Sequence, residues 1–274
     1  MTLSRLREPS ASGRFYPKSA QEINRVIAGF LEGEKSIKAK AIGCVLPHAG
    51  YSYSGRVAVK TVSQISIPER VILLGPNHTG LGPTCSIMSE GIWQTPLGEV
   101  NIDGRLGKFL LSESIYLEDD SSAHMQEHSL EVELPILQYF GKEFEIVPIA
   151  FMPERLSILR EIGISIAGTI KNHNYEGKVL LLASSDLTHY EREEEARAKD
   201  KKAIDAILAL DEGELIKAVD SLGISMCGSA PVAVMLSCAK ALGATKGSLA
   251  MYQTSAEATG DKTSVVGYAG IIIN

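Results

Sequence analysis

Apolar residues recur at helical spacing between Ser19 and Leu31, where Ile23, Val26, Ile27, Phe30 and Leu31 share one face. Ser19 and Glu22 form a capping box at the start, so the spacing predicts a helix. A short apolar run follows, Ala41-Ile42-Gly43-Cys44-Val45-Leu46, and stops at Pro47-His48-Ala49-Gly50, as a buried strand entering a loop would. Arg56 to Ile65 returns to helical periodicity. The cycle repeats at Arg70-Val71-Ile72-Leu73-Leu74, rich in strand formers, which ends at Gly75-Pro76-Asn77-His78. Farther on, Phe144 to Phe151 and Lys178 to Ala183 read as buried strands, flanked by helical patterns over Arg155 to Ile170 and Glu193 to Leu210. A helix is expected after Gly228, with closing strands over Ser248 to Gln253 and Ser264 to Ile273.

This alternation predicts an α/β fold in three layers, α/β/α, with a central mixed, largely parallel sheet covered on both faces. The turn-rich stretch from Gly91 to Val100 reads as a hairpin laid over that sheet. No internal repeat, low-complexity tract or linker interrupts the pattern, and the 274 residues are read as one domain, 1–274.

Composition narrows the function classes. At 45% hydrophobic and 22% charged residues the chain can build a large core, and a net charge of −6 leaves no basic footprint for nucleic acid. Met1 to Glu8 is polar, and no run approaches the roughly 18 to 20 apolar residues of a membrane span. The expectation is a cytoplasmic protein with no membrane contact. Cys44, Cys85 and Cys238 sit in apolar runs and read as small buried residues. Cys227 stands apart, before Gly228 and a predicted helix whose amides would favour a thiolate. Spacing alone leaves a ligand and a buried structural thiol both open.

Ligand crevices of open α/β sheets lie beyond the carboxyl ends of the strands. His48, His78 and His189 all fall at such positions, with Asp186 in the same loop as His189. Convergent imidazoles suit Zn, Fe, Cu or Ni. The segment Asp186-Leu187-Thr188-His189 would place His189 in the first turn of the following helix, with Asp186 orienting it, binding a substrate donor or capping the helix. A competing motif is His124-Met125-Gln126-Glu127-His128, which matches the inverted zincin pattern H-x-x-E-H. Loop-like Asp119-Asp120-Ser121-Ser122 before it and Pro135 after it argue against one long helix carrying the motif. Glu127 and His128 are therefore assigned to the strand-end pocket.

Taken together, Arg7-Glu8-Pro9 with Gly13-Arg14-Phe15-Tyr16, Pro47-His48-Ala49-Gly50-Tyr51, Gly75-Pro76-Asn77-His78, Glu127-His128-Ser129, Ser184-Ser185-Asp186 with His189, and Cys227-Gly228 resemble the Memo family in order and spacing. The resemblance covers essentially the whole chain. It implies a fold related to class III extradiol dioxygenases, which hold non-haem Fe(II) with two histidines and a carboxylate and cleave catechol-like rings. On it, His48 and His78 match the metal-binding histidines, His189 matches an acid/base histidine, and Asp186 and His128 position substrate. Cys227 stands where the dioxygenases have glutamate, and a thiolate favours Cu(I) or Zn as well as Fe(II). The implied function is a metal-dependent oxidoreductase acting on a small, aromatic or phenolic substrate. The alternatives are a non-catalytic binding or metal-handling protein that uses the cleft for a peptide or protein partner and, last, a zinc hydrolase. Association of prokaryotic relatives with a radical SAM enzyme in the AmmeMemoRadiSam grouping makes such an enzyme the implied partner.

Overall fold

The computed structural model describes residues 6–32, 38–141 and 143–274; the polar stretch read at positions 1–5 lies outside them. The first third contains β1 (Leu6–Arg7), α1 (Ala20–Leu31), β2 (Gly43–Leu46), a π-helical turn (Tyr51–Gly55) running into α2 (Arg56–Val62), and β3 (Arg70–Pro76). Then come β4 (Cys85–Ile87), β5 (Ile92–Thr95), β6 (Gly98–Asn101), α3 (Gly104–Glu113), β7 (Glu118–Asp119), α4 (Ser122–Met125) and a 3₁₀ turn (Glu131–Glu133) leading into α5 (Leu134–Phe140). The remainder holds β8 (Glu145–Phe151), α6 (Leu156–Asn172), β9 (Val179–Ser184), β10 (His189–Glu191), α7 (Glu193–Leu208), α8 (Glu212–Leu222), α9 (Ser229–Ala241), β11 (Gly247–Thr254), α10 (Ala256–Thr259) and β12 (Val265–Ile273).

Nine strands form one sheet in the order β10-β12-β2-β9-β3-β8-β4-β7, with β11 also on β12. Its centre, β2-β9-β3-β8, is parallel, and β12 and β4 join that centre antiparallel. The centre matches the run-and-stop pattern of the sequence, because strands buried on both faces need continuous apolar residues. Alternate side chains divide between two cores. Cys44, Leu46, Val71 and Leu73 pack with Ile23, Ile27, Val59 and Leu137 on one face, while Val45, Ile72 and Leu74 pack with Leu159, Ile166, Val232 and Leu236 on the other. Helices thus cover both faces, giving the three layers.

The hairpin expected near Gly91 is β5-β6, and it takes β1 as a third strand. Helices α3 and α8 were not marked by the sequence pattern. Pro135 does not interrupt a helix: it sits in the first turn of α5, where its missing N–H has no intrahelical partner to lose. Among the described residues no helix is long and apolar enough to cross a membrane.

Candidate metal centre

The four parallel central strands all run toward the same edge, and the loops leaving β2, β3 and β9 meet there. His48 lies two residues beyond β2 and is 2% exposed. Its backbone N–H donates to Asp186 Oδ1 at 2.9 Å, which ties the β2 loop to the β9 loop. On the far side, Cys227 and Gly228 press against the β9 loop. A Cβ at Gly228 would lie 2.3 Å from the Ser184 carbonyl oxygen and 2.4 Å from Ser185 Cβ, so only glycine permits this approach.

One nitrogen, Nε2 or Nδ1, of His48 and of His78 and the sulfur of Cys227 all lie within 4.8 Å of one another. Cys227 Sγ is 3.3 Å from His48 Nε2. Ligands about 2.1 Å (N) and 2.3 Å (S) from a single ion at a tetrahedral angle are about 3.6 Å apart, so the pair is spaced as ligands of one ion would be.

Hydrogen-bond counting sets the tautomers. Ser184 Oγ lies 2.8 Å from His48 Nδ1, 2.8 Å from the Ser129 carbonyl and 3.0 Å from Glu133 Oε1. A hydroxyl has one proton and the carbonyl can only accept, so Ser184 donates to Ser129. His48 then donates to Ser184 through Nδ1–H, and its Nε2 lone pair faces Cys227. Glu133 completes the set as a neutral acid, since burial pushes its carboxyl well above the ordinary range. His78 is held by Glu127, whose carboxylate accepts from the His78 backbone N–H and lies 2.9 Å from His78 Nδ1. That contact places the proton on Nδ1 and leaves Nε2 free, the arrangement in which an outer carboxylate orients a ligand histidine. His189 follows the same rule: its Nδ1 is 2.9 Å from the Ser225 carbonyl, an acceptor only, so Nε2 carries the lone pair.

Burial lowers the pKa of His48 and of His128. Burial, then the neighbouring His128 and His78, hold His48 well below the usual histidine range. Burial alone would raise Glu127, but the His78 hydrogen bond draws it down to about 2. Burial raises Asp186 to about 6, against the pull of His189 and the amides of His48 and Ala49. The Cys227 thiol is pushed up by burial and by the Asp186 carboxylate. The Gly228 amide points at Ser185 Oγ, 3.0 Å away.

His128 stacks on His78 with ring centroids 4.8 Å apart and on Phe15 at 4.3 Å. His78, Glu127 and His128 form a second trio with ligand spacing, but Glu127 is already occupied by His78 and by the Ser129 amide at 2.8 Å. His124 of the H-x-x-E-H match is apart from the site: it is fully buried on α4, with Nε2 3.1 Å from the Ser86 carbonyl. Two placements differ from the sequence reading. His189 does not open a helix but begins β10, paired with Val266 of β12, and α7 starts at Glu193. Asp186 is no helix cap; its Oδ1 serves the His48 and Ala49 amides. Sequence reasoning missed Glu133 and the role of Ser184, for which the only signal was a carboxylate and a hydroxyl close to strand and helix ends. A cleft of about 560 Å³ opens over His48, His78, His128, Asp186 and His189.

Comparison with known proteins places these residues in context. The Memo-like protein family matches residues 7–272. A MEMO1 family protein of Aquifex aeolicus is 44% identical over 272 residues, covering 98% of this chain and 99% of the relative. Another from Methanopyrus kandleri is 39% identical over 279 residues, covering 97% and 98%. The crystal structure of an uncharacterized Escherichia coli K12 protein is similar in fold, with a TM-score of 0.57 at 10% identity over 85% of this chain and 100% of that one.

Proposed function

The chain belongs to the Memo-like protein family, and from that premise we propose that it is a metal-dependent oxidoreductase whose ion is held by His48, His78 and Cys227. The observation that carries the reading is the convergence of one ring nitrogen of His48, one of His78 and the Cys227 sulfur, with both Nδ1 atoms in contact with protein partners. Fe(II) or Cu suits two imidazoles and a thiolate, and Zn is the redox-silent third choice. Such an ion, when bound, supplies a site for O₂ and substrate together. The protein's own groups supply the rest. His189 Nε2 accepts or returns a proton at the cleft, Asp186 orients a substrate donor, and stacked His128 and Phe15 present a flat wall to a small aromatic body. A cytoplasmic site of action and a radical SAM partner belong to the same proposal.

Cys227 also favours a second reading, metal handling without turnover, because a soft thiolate retains Cu(I) tightly. Elemental analysis of anaerobically purified protein, followed by O₂ uptake with catechols, separates the two: bound metal without uptake selects handling. In both cases Cys227→Ser should lower Fe(II) or Cu(I) affinity by more than about 100-fold, beyond the effect of losing an outer partner. Unchanged affinity would remove the ligand assignment.

A further inference from the structure

We propose that the cleft binds a small molecule bearing an ammonium group, seated among Tyr53, Tyr190, Tyr268 and Asp186. The inference takes from the proposed function only that this cleft is the substrate site. Its first support is charge. The described residues that line the cleft include the carboxylates Asp186 and Asp261 and no Lys or Arg. A carboxylate or phosphate ligand would meet no Lys or Arg among these lining residues, whereas such ligands are ordinarily held by Arg or Lys forks.

The second support is the arrangement of acceptors. Tyr268 is 2% exposed and lines the cleft together with Asp186, Tyr53 and Tyr190. Asp186 is 5% exposed and spends Oδ1 on the His48 and Ala49 amides, which leaves Oδ2 with no partner among the described residues. A primary ammonium carries three N–H donors and a charge. Tyr53, Tyr190 and Tyr268 line the cleft with Asp186 and offer phenol oxygens beside that buried carboxylate, and tyrosine ring faces attract cations as well.

The third support is the rim. Tyr190 has φ 61°, a left-handed conformation that a side chain this large rarely adopts, and it is 78% exposed. Such strain persists where the surroundings enforce it, and here it holds an aromatic ring at the mouth beside His189, with ring centroids 5.8 Å apart. Phe15 and Val266 give the apolar body of the ligand its wall.

Tyramine and 4-hydroxyphenylacetate share a phenol ring and differ in the charge of the end group. Titrated by calorimetry at pH 7 into the wild type and into Cys227→Ser, tyramine should bind about tenfold or more tightly than the acid in both proteins. Asp186→Asn should erase the preference. Tyr268→Phe, which keeps the ring and removes one acceptor, should weaken the amine about three- to tenfold and leave the acid unaffected. Equal affinities, a preference for the acid, or no binding of the amine would overturn the proposal. Since Cys227→Ser lacks the sulfur, a failed metal assignment leaves this result readable, and the reverse also holds.

Discussion

Glu131 and Glu133 stand two residues apart on one 3₁₀ turn, and both are fully buried. Glu131 faces the N-terminal segment, where it receives Arg7 Nη1 at 2.6 Å, Tyr16 Oη at 2.6 Å and the amides of Ser10 and Ala11 at 2.9 Å each. Arg7 in turn donates to the carbonyls of His124 and Glu127 and lies 4.2 Å from the Trp93 ring centroid. Glu133 has the Ser184 hydroxyl alone, and its Oε2 has no partner among the described residues. Burial opposes ionisation in both. In Glu131 the Arg7 charge and several hydrogen bonds overcome it, and the carboxyl titrates below its ordinary range. Glu133 stays protonated. Burial therefore does not decide the charge of a carboxyl; the number of donors that reach it does. The ionised glutamate pins the loop that carries Glu127 and His128, and the neutral one fixes the His48 tautomer through Ser184.

The comparison can be broken by substitution. Glu131→Ala strands Arg7 in the interior without a counter-charge and should cost about 3–5 kcal/mol in urea unfolding. A loss below 1 kcal/mol would mean that water reaches Arg7. Tyr16→Phe removes one hydrogen bond to a charged acceptor and should cost about 1.5–3 kcal/mol by the same measurement.

Titration sharpens the contrast further. The folded pKa of Glu131 is depressed, so its contribution is present above the unfolded value, about 4.3, and is lost as pH falls through the folded value. Glu133 has a raised folded pKa, so its contribution is present below about 4.3 and declines by about 1.4 kcal/mol per pH unit above it, until the folded pKa is reached. Glu133→Gln keeps a donor for Ser184 and removes that decline. At pH 5 the variant should match the wild type within about 1 kcal/mol, and at pH 7 it should be the more stable. Parallel pH profiles for the two proteins would show that Glu133 is ionised in the folded state.

Much of the sheet was legible because strands buried on both faces must be apolar throughout, and their abrupt ends put His48 and His78 at one edge in the sequence itself. Cys44, Cys85 and Cys238 are buried as their apolar neighbours indicated. The β10 placement of His189 was hidden, since Glu193-Glu194-Glu195 suits a helix start and nothing local announces pairing with Val266, 77 positions away in sequence. Arg7 and Glu131 were equally opaque: they are 124 residues apart, and in sequence each reads as an ordinary surface charge. Local pattern reveals which positions are buried, while the pairing of buried polar groups depends on chain topology.

The separation of His48 and Cys227, 179 residues in sequence, has a consequence for how the protein is made. No stretch of growing chain contains the centre. β12 lies between β10 and β2, and it is synthesised after every other strand of the sheet. Until it docks, β10 has no ladder to hold His189, and β2 has only its pairing with β9. Pairings between such distant segments form slowly, because the loop entropy must be overcome before the contacts contribute. Convergence of His48, His78 and Cys227 is thus a late event in biogenesis. A nascent chain presents these histidines and thiols dispersed, so any ligand that needs them together meets its site only in the finished fold.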